Sequence, residues 1–93
     1  MNTYIILRRS GWSTPEELQE AAARSEQAGK EMAEDIRWIR SYVMGENSGK
    51  LGTVCVYQAS SPDAIRRHGD IALLPVDEII PVMDTVIKRT DPQ

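Results

Sequence analysis

Ile36-Arg37-Trp38-Ile39-Arg40-Ser41-Tyr42-Val43-Met44 runs into Gly45-Glu46-Asn47-Ser48-Gly49-Lys50 and then into Leu51-Gly52-Thr53-Val54-Cys55-Val56-Tyr57-Gln58-Ala59. The outer runs are rich in β-branched and aromatic residues, and the middle is polar and glycine-bounded. Together they read as a β-hairpin. Strict alternation predicts Ile36, Trp38, Arg40 and Tyr42 on one face of the first strand, with Ile39, Ser41 and Val43 on the other. In the second strand, Thr53, Cys55 and Tyr57 share one face, and Val54 and Val56 share the other.

Outward from this hairpin the pattern changes period. Upstream, Thr14-Pro15-Glu16-Glu17 is a helix start: Thr14 caps, Pro15 suits the first helical position and Glu17 completes a capping box. Leu18, Ala22, Ser25, Gly29 and Met32 then recur at helical spacing. This buried face is made mostly of small residues, which let a helix lie close to a sheet. Downstream, Ser61-Pro62-Asp63 opens a second helix, with Ala64, Ile65, His68, Ile71 and Ala72 as its stripe, and Leu74-Pro75-Val76-Asp77 ends it. Tyr4 to Arg9 reads as an opening strand followed by a loop at Ser10 to Ser13. Ile79 to Ile87 reads as a closing strand, with Pro81 confining it to an edge. A polar tail runs from Arg89 to Gln93.

The order is β-α-β-β-α-β. Right-handed crossovers turn this into an α+β, ferredoxin-like sandwich, an antiparallel sheet in spatial order 4-1-3-2 with both helices on one face. The 93 residues make a single domain of ordinary globular composition, 41% hydrophobic and 27% charged. A net charge of −3 with interspersed signs gives no basic stripe for nucleic acid. No apolar run reaches the roughly 20 residues of a membrane span, and the start of the chain lacks the pattern of a secretory leader. A cytoplasmic location is the default expectation. Cys55 is the sole cysteine, so an intramolecular disulfide is impossible and a zinc structural site lacks ligands.

Both faces of the hairpin carry apolar side chains, although helices cover only one side of such a sheet. A second copy of the sheet is expected to cover the other, giving a homodimer of the dimeric α/β barrel kind. A small chain gains most from this, because alone it buries only about 60–65% of its unfolded surface.

Several segments are similar to one small family. Tyr4-Ile5-Ile6-x-Arg8 resembles its opening strand, Ile36-x-Trp38-x-x-Ser41-Tyr42-Val43 its most recognisable motif, and Val54-Cys55-Val56-Tyr57-x-Ala59 its next strand. Ile65-Arg66-x-His68 followed by Leu74-Pro75-x-Asp77-x-Ile79 resembles its closing segment. The family is that of nickel-binding-protein-like domains of the Streptomyces type. The resemblance implies a ferredoxin-like fold, a dimer and binding of nickel or another divalent metal. The chain departs from the pattern at Leu7 and Arg67, where the family has acidic residues that would offer oxygen ligands.

The candidate functional residues are few. His68, the only histidine, suits a divalent metal or proton transfer; a hydrogen-bonded core residue is the plain alternative. Trp38, Tyr42, Cys55 and Tyr57 are expected to line one pocket, with Arg8 and Arg40 facing it to pair a carboxylate or phosphate, or else standing at solvated strand ends. No His/Cys cluster, glycine-rich phosphate loop or Ser/His/Asp set occurs. The leading expectation is a small dimeric protein that binds a metal or small ligand. The alternatives are a cofactor-free isomerase or oxygenase using His68 in an apolar cavity, and a pure assembly module.

Overall fold

The computed structural model describes residues 1 to 89. Its elements run β1 (Asn2–Trp12), α1 (Pro15–Glu31), β2 (Ile36–Gly45), β3 (Leu51–Ala59), α2 (Pro62–Ala72) and β4 (Glu78–Pro81). The sheet is antiparallel, in the order β2-β3-β1-β4. This is the expected 4-1-3-2 arrangement read from the other side, and both helices lie on one face. Each helix starts as its sequence predicts. Thr14 accepts from the Glu17 amide at 3.1 Å, the Glu17 carboxylate takes the Ser13 amide at 2.8 Å, and Ser61 accepts from the Ala64 amide at 3.2 Å.

The helix-covered face of the sheet carries Tyr4, Ile6, Arg8, Ile36, Thr53, Cys55, Tyr57 and Ala59, all buried. Met32 of the α1 C-cap and Ala64 and Ile65 of α2 close over it. Two stripes are rotated from their expected positions. On α1 the buried residues are Ala21, Ser25 and Ala28, while Leu18, Ala22 and Gly29 are half-buried. On α2, Gly69 is buried and Ile71 is 53% exposed. The segment after α2 folds back across Gly69, where a Cβ would stand 2.8 Å from Val76 Cγ2, so this face of the helix is covered while Ile71 faces out.

Two strands depart from simple alternation. β1 does not stop at Arg9: it continues to Trp12 through a bulge, with Arg8 opposite Thr53 and Trp12 opposite Leu51. Ser10 sits there at φ 48°. The Glu46 carboxylate replaces the lost ladder partners, accepting from Arg9 Nε at 2.6 Å, from Ser10 Oγ at 3.0 Å and from the Ser10 amide. Gly52 makes this possible, because a Cβ there would lie 2.7 Å from the Arg8 carbonyl oxygen. In β2, Trp38 pairs with Tyr57 but Arg40 pairs with Val56, so Ile39 is an extra residue. Beyond it the faces exchange. Ser41 and Val43 point to the helix side, opposite Cys55 and Thr53, while Arg40 and Tyr42 stand with Val56 and Val54 on the open side.

The closing strand is shorter than expected, ending at Pro81 instead of Ile87. Pro81 lies opposite Tyr4, so only the first residues of β1 remain to pair. The Val82 amide still reaches the Thr3 carbonyl at 2.9 Å, after which β1 offers no further partner. Of the tail expected from Arg89 to Gln93, residues 90 to 93 lie outside the described residues.

Candidate ligand-binding site

A cavity of about 100 Å³ lies between the first half of α1 and the sheet. Its floor is Arg8 and Trp12 from β1, Thr53, Cys55 and Tyr57 from β3, and Trp38, Ser41 and Val43 from β2. Leu18, Ala21, Ala22 and Ser25 of α1, with Leu74, form the rest. Four of the expected pocket residues, Arg8, Trp38, Cys55 and Tyr57, therefore meet along one cavity. Neither Tyr42 nor Arg40 joins them, because the extra residue at Ile39 turns both to the opposite face. Trp12 and Val43 belong to the cavity and were not singled out from sequence. Gly11 beside Trp12 looks like loop punctuation, and the displacement of Val43 depends on the pairing of β2 with β3.

The polar groups on the wall are mostly used up on one another. Trp38 Nε1 donates to Ser41 Oγ at 2.8 Å, Ser41 Oγ donates to Cys55 Sγ at 3.1 Å, and the Cys55 thiol donates to Thr53 Oγ1 at 3.3 Å. The Tyr57 hydroxyl and Ser25 Oγ are 2.9 Å apart. Burial raises the Tyr57 phenol above its ordinary pKa against the opposing pull of Ser25 and Arg8, so the phenol stays protonated at neutral pH. The Trp38 and Tyr57 rings are parallel within 4°, with centroids 6.2 Å apart.

Arg8 is the exception. It is 1% exposed and is the one charged residue lining the cavity. Nη1 donates to the Pro75 carbonyl at 2.7 Å, and Cζ lies 5.9 Å from the centroid of the Tyr57 ring. Nη2 has no hydrogen-bond partner. A buried cation without a counter-ion is costly.

His68 lies behind Tyr57 and does not line the cavity. It is 1% exposed, its ring meets that of Tyr57 edge-on at 5.4 Å, and Nε2 is 3.0 Å from the Ser25 carbonyl oxygen. Burial, and then the charge of Arg8, lower its pKa against the opposing Ser25 carbonyl. Nδ1 keeps an unpartnered lone pair. Among the described residues, no three His, Cys, Asp or Glu side chains come together to hold a metal ion. A single imidazole beside a guanidinium does not fit a divalent cation, because the field there already disfavours positive charge. The enzyme alternative also loses its acid–base group from the cavity, since His68 is separated from it by Tyr57.

The strand order and the two helices on one face of the sheet define a ferredoxin-like α+β sandwich. The chain belongs to the family described as nickel responsive protein SCO4226-like, which it matches over residues 4–82. The crystal structure of SCO4226 from Streptomyces coelicolor A3(2) superimposes with a TM-score of 0.73 at 20% identity, covering 90% of this chain and 99% of that one. At that identity the likeness establishes the fold alone. No curated protein matches the sequence. No helix among the described residues is long and apolar enough to cross a membrane.

Proposed function

We propose that this chain is a small homodimeric binding protein whose cavity beneath α1 takes a compact organic molecule. The observation that carries the reading is the cavity itself, apolar and aromatic on nearly all of its wall. Its volume suits a single ring or short chain rather than a nucleotide, since pockets for larger ligands span roughly 300–1,000 Å³.

The second copy belongs on the open sheet face. Ile5, Leu7, Val54 and Val56 are only half-buried there, and Tyr42 and Ile80 are 45% and 37% exposed. A contiguous apolar face of this kind is rare on a monomer. Sedimentation equilibrium is expected to give twice the chain mass of 10.4 kDa, and Val56→Lys to give a folded monomer. A wild-type monomer at high concentration removes the dimer. For the cavity, the test is saturable tryptophan-fluorescence change on titration with toluene and phenol, lost in Ala22→Phe, which fills the space. No response to either compound overturns the reading.

The family's description favours a second reading, a dimer that holds nickel through donors from both copies. Calorimetric titration of nickel into the wild type and His68→Ala tests it. Equal binding by both proteins removes His68 as a ligand, and no binding by the wild type removes the reading.

A further inference from the structure

The geometry points to a neutral hydrocarbon, about the size of one ring, as the ligand of the cavity, held by burial alone. This rests on the cavity being a ligand site and adds the chemical class of the occupant. The polar groups of the lining residues are withdrawn from the space they surround. The Trp38 indole N–H, the Ser41 hydroxyl and the Cys55 thiol donate in succession and end on Thr53 Oγ1. The Tyr57 hydroxyl is paired with that of Ser25. Arg8 Nη1 is bonded to the Pro75 carbonyl, and Nη2, although unpartnered, is sealed from solvent. The wall therefore exposes almost no polar surface, and what Arg8 lends it is carbon.

A hydrogen-bonding group enclosed there would lose its water and find no partner in exchange. A hydrocarbon gives up nothing of the kind and gains from leaving water, against Trp12, Leu18, Val43 and Leu74. The wall also lacks the two or more polar partners that a buried water needs, so no well-held water competes for the space. An apolar cavity of roughly 150 Å³ takes up benzene, and the about 100 Å³ here is of the same order.

Toluene is the probe, compared with phenol, its near-isostere with a hydroxyl in place of the methyl group. Both tryptophans of the chain, Trp12 and Trp38, line the cavity, so the fluorescence of the wild-type protein reads occupancy directly. Toluene is expected to bind at least about tenfold more tightly than phenol, as burial of an unpaired hydroxyl implies. An excess of benzoate is expected to leave the toluene titration unchanged. Ala22→Phe is expected to lose the toluene response, and circular dichroism checks that the variant is folded. The wild-type ratio decides the matter if it is not. Equal or tighter binding of phenol, or displacement of toluene by benzoate, overturns the hydrocarbon assignment and leaves the cavity reading standing. Silence from both compounds, or a toluene response kept by folded Ala22→Phe, takes down the cavity reading too.

Discussion

His68 Nε2 lies 3.0 Å from the main-chain oxygen of Ser25, so a ring buried on α2 hydrogen-bonds to the backbone of α1. The carbonyl can only accept, so Nε2 carries the proton and the buried imidazole is neutral. Its pKa is held below the roughly 6.5 of a free imidazole, chiefly by burial.

This shift has a definite sign in stability. Above about pH 6.5 the ring is neutral in both folded and unfolded chains, and it contributes no pH dependence. Below that, the unfolded chain takes up a proton first, so stability falls as the pH drops, until the lower folded pKa is reached. Thermal melts are expected to show Tm declining from pH 7 toward pH 5, with a shallower slope in His68→Gln. An identical slope in the variant would assign the decline to other groups.

Ser25 joins the same cluster through its hydroxyl, 2.9 Å from that of Tyr57. Ser25→Ala leaves a buried phenol without its partner and is expected to cost about 1–3 kcal/mol. Tyr57→Phe costs less, because the serine hydroxyl can turn to a carbonyl of its own helix. The double variant is expected to be more stable than the sum of the two losses predicts. Urea unfolding of all four proteins measures this coupling, and strict additivity would deny it.

α2 ends at Leu73, which is left-handed at φ 56° and ψ 49° and 73% exposed. The Leu74 amide closes the cap on the Gly69 carbonyl at 2.8 Å. A leucine in this conformation is strained by about 1–2 kcal/mol. Its side chain packs on little, so Leu73→Gly loses few contacts, although it makes the unfolded chain freer. The net expectation is a gain of about 0.5–1 kcal/mol, seen as a Tm higher by a few degrees. A lower Tm would mean that the leucine side chain holds the following segment.

The topology could be read because its signals are local. Thr14-Pro15 and Ser61-Pro62 announce helices, and Cys55 and Tyr57 share a face as plain alternation requires. The rotated stripe of α2 was hidden because it depends on Val76 crossing Gly69. The site was half legible for the same reason. Arg8, Trp38, Cys55 and Tyr57 could be named from their strands, but Tyr42 was assigned to the wrong side. Nothing around Ile39 marks an inserted residue: neither glycine nor proline is there, and the register is set by pairing with β3. The Pro75 carbonyl that holds Arg8 is equally invisible from sequence, being 67 positions away.

The extra residue at Ile39 works like a frameshift inside one strand. Deleting a single codon there would remove the bulge and leave plain alternation in the same register, with Tyr42 still outward and Ser41 and Val43 still inward. A change of one residue elsewhere in β2, with no bulge to absorb it, would instead exchange the pocket lining and the open face together.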